Sequence, residues 1–223
     1  MAEKEKSKAE FVELDYTGKE KGGQVFDTTI EAEAKKAGLN TDGMKYRPVI
    51  MIAGEGLLIK GFEKAIASMK EGETKDVEIT PEDGYGPRDP RLMQIVPLSV
   101  FQKNKVNPVP GMMINSENGP MRIVSVSGGR VQVDFNHQLA GKTLEFKIKL
   151  HKRLVKEEDR IHALIQMVFG EGKASIKLKD KELTVVLPAA ALKMPDLQPR
   201  KIAFVKQIKK YTSVDKVTVN EEY

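Results

Sequence analysis

The stretch IMIAGEGLLIKGFEKAI, Ile50 to Ile66, constrains this chain more than any other segment. An apolar run suited to a buried strand passes through glycines into helical spacing, with Phe62, Ala65, Ile66 and Met69 on one face and Gly72 placed to end the helix. That is the layout of a phosphate-binding loop. The dinucleotide fingerprint G-x-G-x-x-G needs a third glycine, and Ile59 stands there instead. A P-loop needs lysine and a hydroxyl after its second glycine, whereas Gly61 is followed by Phe62 and Glu63, and a carboxylate repels phosphate. Nucleotide binding is excluded at the residues that would carry it. What remains is Leu57, Leu58 and Ile59, three large apolar residues in a turn, which are either core plugs or the wall of an apolar pocket.

The flanking segments read mostly as short strands. FVELDYTG alternates apolar and polar residues and ends in a turn at Gly18; a Gly22–Gly23 turn precedes Val25, Phe26 and Asp27. Glu31 to Gly43 is a polar helical or loop excursion, KYRPVIMIAG is a strand with Pro48 near its start, and ETKDVEIT is another strand. PEDGYGPRDP is a run of turn residues around Tyr85. From Pro87 to Val131 the texture changes, with six prolines and four of the ten methionines among short strands (RLMQIVP, GMMINS, PMRIVSVS, RVQVDF), as in a small β module. NHQLAGKTLEFKIKLHKRLV closes in a strongly alternating strand. After Lys156 come an amphipathic helix (Ile161, Leu164, Ile165, Val168), a hairpin with Lys179–Asp180–Lys181 at its tip, a second helix with Pro199 in its first turn, and a last strand.

Bulk properties narrow the function classes. At 223 residues the chain suits two or three small domains, and 40% hydrophobic with 31% charged residues allows packed cores under a charged surface. There is no cysteine, which excludes disulfides, thiolate metal sites and a thiol nucleophile and fits a cytoplasmic protein; the three scattered histidines argue against zinc. The net charge of +5 is spread among interleaved acids and bases, so nucleic acid is an unfavoured partner. No apolar run is long enough to span a bilayer, and the charged start MAEKEKSKAE reads as a short disordered lead without a secretory h-region.

VELDYTG, GQVFDTT, IAGEGLLIKGFEKAIASMKEGE and GYG resemble, in that order, the signature segments of FKBP-type peptidyl-prolyl cis/trans isomerases. The segment that opens LMQIVPLSVF and closes NHQLAGKTLEF looks like the insert-in-flap module of SlyD-like, long-type members, and the C-terminal part is similar to that of archaeal long-type ones. The resemblance implies an α+β fold: a half-open antiparallel β-sheet wrapped on a short helix (residues 10–87 and 132–155), a small inserted β domain (88–131) and a C-terminal α/β domain (156–223). It implies isomerase activity on X–Pro bonds, with no cofactor or metal. The pocket wall would be Tyr16, Phe26, Asp27, Met51, Leu58, Ile59, Phe62, Tyr85, Leu139 and Phe146, leaving Leu57 as a plug. Phe62 stands where the best-studied small members have tryptophan, and Val49 where they often have an aromatic, so the floor is reshaped for macrolide inhibitors.

The same resemblance implies roles. The Ile59 N–H would bind the substrate carbonyl before proline, the Tyr85 hydroxyl the substrate backbone, and Asp27 would orient Tyr16 and polarise the pocket. Taken alone, Phe26, Phe62 and Phe146 are equally core aromatics, Asp27 a turn-capping carboxylate and His137 a lining or surface residue. Met93, Met112, Met113 and Met121 would offer an adaptable surface to unfolded clients. Proline-containing polypeptides are thus the expected partners, with a homodimer through the C-terminal domain as a further option. A pure holdase without turnover is the alternative reading, and an RNA-binding module a more distant one. The histidine-rich metal tail of some SlyD-like proteins is missing, the chain ending VTVNEEY, so nickel handling is not expected.

Overall fold

A computed structural model describes residues 9–116, 119–170, 174–187 and 189–221; the expected disordered lead lies mainly outside them. The first sheet is built on β1 (Glu10–Glu20). One edge of β1 pairs with β2 (Val25–Thr28) at its C-terminal end and with β3 (Val49–Ala53) at its N-terminal end, and a short helix α1 (Glu31–Lys36) lies between these two in sequence. After helix α2 (Lys60–Ser68), β4 (Thr74–Ile79) forms the far edge. All four pairings in this five-stranded sheet are antiparallel.

Period-two alternation decides which faces are buried. Along β1, Val12, Leu14 and Tyr16 point toward α2, while Phe11 points to the other face. Helix α2 lays Phe62, Ala65 and Ile66 on this sheet, with Met69 just beyond its end. The glycines before it serve backbone geometry: Gly54 and Gly56 both take positive φ, at 86° and 68°, and the Gly56 N–H donates to Glu63 Oε1 at 3.1 Å.

The second sheet contains β5 (Met93–Pro97), β6 (Met113–Ser116), β7 (Gly119–Ser127) and β8 (Arg130–Asp134), in the spatial order β5-β8-β7-β6, with helix α3 (Leu98–Lys103) after β5. Its own core gathers Phe101, Met121, Ile123, Val131 and Val133. The strand read as RVQVDF runs from Arg130 to Asp134, beyond the 88–131 bounds of the expected insert, and Asp134 pairs with Met93 and Arg122. The chain then returns to the first sheet through β9 (Leu144–Arg153), which pairs with both β1 and β4. Its Leu144, Phe146, Ile148 and Leu150 face the α2 core.

The C-terminal part consists of α4 (Glu157–Phe169), the hairpin β10 (Ser175–Lys179) and β11 (Glu182–Val186), α5 (Leu197–Tyr211) and β12 (Lys216–Asn220). β12 pairs with β11 in parallel, a crossover made by α5. The hairpin tip places Asp180 and Lys181 at positive φ. This part packs on the outer face of β1 and β3: Phe11 and Ile52 are buried in one core with Ile161, Leu164, Phe169, Phe204 and Ile208. Phe11 meets Tyr211 edge to face at 5.4 Å, and the Arg160 guanidinium lies over the Phe11 ring. Among the described residues, no helix is long and apolar enough to cross a membrane.

The seat of α2 is tight. A Cβ on Gly61 would stand 2.6 Å from Ile79 Cγ2 and 2.9 Å from its Cγ1. Gly61→Ala is therefore expected to destabilise the fold by about 1–3 kcal/mol despite alanine's better helix propensity. Urea unfolding of both proteins measures it; an unchanged or raised midpoint would show that α2 can move away from β4 freely.

Candidate active site

Between α2, its preceding loop and the α2-facing side of the first sheet lies a cleft of about 220 Å³. It is lined by Tyr16, Phe26, Asp27, Met51, Leu57, Leu58, Ile59, Phe62, Tyr85 and Phe146. Nine of the ten residues that the sequence assigns to the wall are among these.

Leu139 is not. It is 6% exposed and belongs to the core beneath. The tight turn that starts at His137 explains this: Ala140 N–H donates to the His137 carbonyl and Leu139 N–H to His137 Nδ1, which folds the leucine inward. Leu57 is corrected in the opposite direction. It is no plug but 67% exposed at the rim, because the two left-handed glycines on either side of Glu55 lift the chain away from the core before the helix begins.

The floor is an aromatic box. Phe62 and Phe146 meet at 5.2 Å and 79°, Tyr16 and Phe62 at 5.8 Å and 82°, and Phe26 and Phe146 at 5.8 Å and 81°. These are edge-to-face contacts, the arrangement favoured by the ring quadrupoles. β1 supplies Tyr16, β2 Phe26, α2 Phe62 and β9 Phe146. Gly18 allows the box to close. It shares the inward face with Tyr16 two residues earlier, and a Cβ there would lie 2.6 Å from Phe146 Cε1 and 2.9 Å from Phe26 Cζ. Gly18, expected in a turn, stands inside β1, and its i+2 relation to Tyr16 is the signal that places it at the cleft.

The polar groups are few. The Tyr16 hydroxyl donates to Asp27 Oδ2. Burial, and then this bond to Asp27, hold the Tyr16 phenol well above the usual tyrosine range. Tyr85 is raised as well, by burial first and then by the negative charge of Asp27. Both phenols therefore stay protonated donors at neutral pH. Tyr85, 38% exposed at the rim, stacks flat on His137, with centroids 4.0 Å apart and planes within 4°. That stack was not foreseen from sequence. His137 Nδ1 accepts the Leu139 N–H, which places its proton on Nε2 in this arrangement. Among the described residues the Ile59 N–H has no protein acceptor, although its carbonyl accepts from Phe62 and Glu63.

A wider groove of about 700 Å³ runs along the outer face of the same sheet past Lys19, Glu33, Asp76, Glu78, Glu145 and Lys147. Its charges are partly paired, as in Lys19–Glu145 at 2.6 Å.

The four methionines of the second sheet separate. Met112 and Met113 are exposed and Met93 is half-buried, but Met121 is 8% exposed inside the sheet's core and offers no surface. It alternates onto the same face as Ile123, opposite Ile114 of β6. Exposed Ile95, Val100 and Val109 add to the apolar surface.

An apolar cleft edged by two protonated phenols, the Asp27 carboxylate and the backbone of Leu57–Ile59 suits a neutral ring flanked by amides. Two family models match the chain outside the cleft: the FKBP26 IF domain over residues 94–139 and the FKBP26 C-terminal region over residues 157–223. The chain is 43% identical over 143 residues to the short-type peptidyl-prolyl cis-trans isomerase of Methanocaldococcus jannaschii, across 64% of this chain and 90% of that protein. It is 32% identical over 164 residues to the FKBP-type isomerase SlyD of Aeromonas hydrophila, across 72% of this chain and 71% of that one. Against SlyD of Helicobacter pylori the figures are 34% over 137 residues, 58% and 74%. The chain belongs to the FKBP-type peptidyl-prolyl cis-trans isomerase family, and within it is SlyD-like.

Gly18→Ala should push Phe26 and Phe146 into the cleft and lower kcat/KM on an X–Pro peptide by about tenfold or more, since each ~1.4 kcal/mol of transition-state binding is a factor of ten. Asp27→Leu and Tyr85→Phe should each slow the reaction with circular dichroism unchanged. Wild-type kcat/KM in all three would remove the cleft from consideration.

Proposed function

We propose that this protein accelerates cis/trans isomerisation of X–Pro bonds in folding polypeptides, with the proline ring held in the aromatic box. The observation that carries this reading is the convergence of Phe26, Phe62 and Phe146 on one cleft whose lining also includes Tyr85 and Ile59. Rotation about the peptide bond has a barrier of roughly 18–20 kcal/mol, because amide resonance is lost on twisting. The twisted amide is less dipolar than the planar one, so an apolar site disfavours the ground state relative to the transition state. Ile59 N–H holds the carbonyl before proline, Tyr85 binds the adjoining backbone, and Asp27 fixes the Tyr16 ring. No bond is made or broken, so no nucleophile or cofactor is required.

In this reading residues 10–87 and the return from Phe135 to Val155 form the isomerase unit, Arg88–Asp134 an inserted client-capturing unit, and 156–223 a third unit. The capture surface is the outer face of the second sheet and its edges. Met93 and Ile95 on β5 and Met113 on β6 alternate away from the core residues Val96 and Ile114, and Met112 and Val109 lie nearby in sequence. Methionine-rich apolar surfaces adapt to varied segments. The third unit is the place for a second copy of the chain, with Ile202 of α5 and Met167 of α4 exposed on its surface. The absence of cysteine fits a cytoplasmic setting.

Protease-coupled or exchange NMR assay of a proline tetrapeptide tests the isomerase reading against a holdase that binds without turnover; an uncatalysed rate at micromolar enzyme would favour the holdase. Replacing Arg88–Asp134 by a short turn should leave tetrapeptide turnover in place while catalysis of a proline-limited refolding reaction falls by about tenfold or more, as the client loses its second attachment. Equal loss in both assays would make the insert purely structural.

A further inference from the structure

The second sheet is joined to the first by two stretches of chain, Tyr85–Leu92 going out and Phe135–Thr143 coming back, and side chains lace them together. The Asn136 amide stands in for one rung of antiparallel pairing. Its Oδ1 accepts the Asp89 N–H at 2.8 Å, and its Nδ2 donates to the Asp89 carbonyl at 3.0 Å. The second Nδ2 hydrogen goes to Asp134 Oδ1 at 2.7 Å, and the Asn136 backbone N–H reaches the same oxygen at 2.9 Å. The other Asp134 oxygen pairs with Arg88. Asp134 is only 3% exposed. A carboxylate so deeply placed is tolerated because both oxygens are saturated, one of them by a guanidinium.

The knot lies between two functional surfaces. On one side Phe135 N–H donates to the Leu92 carbonyl and Asp134 pairs with Met93 at the start of the second sheet. On the other, Gly141 N–H donates to the Gly86 carbonyl, and His137, next to Asn136, stacks on Tyr85 at the cleft rim. Arg88, Asp89, Asp134 and Asn136 neither line the cleft nor enter a hydrophobic core. Their polar bonds therefore do something that core packing does not. A second site on a loose double tether is averaged over many orientations, and the effective concentration of a captured segment at the cleft is low; a fixed geometry raises it without new contacts.

We propose that Arg88, Asp134 and Asn136 are positioning residues that lock the second sheet at a fixed angle over the cleft, and that this lock sets the preference for unfolded chains over short proline peptides. The inference rests on the client-capture reading above.

The test uses the full chain. For Asn136→Ala, tetrapeptide kcat/KM should remain within about twofold of wild type. Binding of a permanently unfolded labelled protein, followed by anisotropy, should be unchanged, while catalysis of proline-limited refolding drops about tenfold. Arg88→Gln, which keeps the Asn136 rung, should give a smaller drop in the same assay alone, and it decides the matter if Asn136→Ala does not fold. Parallel loss of peptide and protein turnover would make these residues mere packing elements. Unaltered refolding with capture intact would show that tethering suffices and overturn the lock alone. A wild-type chain that captures no unfolded protein would sink the capture reading and the lock with it.

Discussion

Strand β1 is the shared spine of the molecule. Both of its backbone edges are occupied, by β2 and β3 on one side and β9 on the other, and both of its faces are used. Val12, Leu14 and Tyr16 face α2 and the cleft, and Phe11 is the anchor on which the C-terminal helices close. On that same outer face Asp15 accepts from Thr29 Oγ1 and meets His151 Nε2, each at 2.7 Å, and Thr29 Oγ1 in turn takes the Tyr16 N–H. A one-residue slip of β1 would exchange these faces, turning Phe11 and Asp15 toward α2 and Val12, Leu14 and Tyr16 away from it. Register, cleft and docking of the third unit are thus one constraint.

The cleft shows how the constraint becomes chemistry. Tyr16 is held at depth by the spine, and the Asp27 that orients it comes from the neighbouring β2, where it pairs with Gly18. Gly18 is therefore fixed twice: its pairing with Asp27 brings that carboxylate diagonally within reach of Tyr16, and its missing side chain leaves room for Phe26 and Phe146. The raised phenol of Tyr16 follows from this burial and this bond. Preorganised dipoles in a dry site act without reorganising during the reaction, which is where such groups are most effective.

Much of this was legible in the residues, and the failures share a cause. Strong period-two alternation in β1 and β9 and helical spacing in α2, α4 and α5 reveal elements and their buried faces, because burial itself imposes those periods. The ordered signature segments bring Tyr16, Phe26, Asp27, Phe62 and Phe146 to one place although they lie far apart in the chain. Helix α3 went unseen because Leu98–Lys103 is too short to display a period. Leu139, Leu57 and Met121 were misplaced for a related reason: residue type says apolar, but only the local turn or pleat says whether the side chain points to core, rim or surface. The parallel pairing of β12 with β11 and the Asn136 knot join residues distant in sequence, and no local pattern announces them.

The loop from Gly54 to Ile59 shows why the layout of a phosphate site reappears without phosphate chemistry. Both tasks require backbone N–H groups presented to a ligand at the start of a helix, and glycines at positive φ are an economical way to turn the chain there. The ligand's charge decides the rest. A phosphate needs lysine, a hydroxyl and a wet approach; a neutral carbonyl beside a proline ring needs one free donor surrounded by carbon. Here Leu57 and Leu58 line the approach, Phe62 lies at the floor, and among the described residues the Ile59 N–H has no acceptor. Glu63, which would repel an anion in solution, turns back to hold the Gly56 N–H and so stiffens the loop. The carboxylate that rules out a nucleotide thereby becomes a support for the apolar cleft.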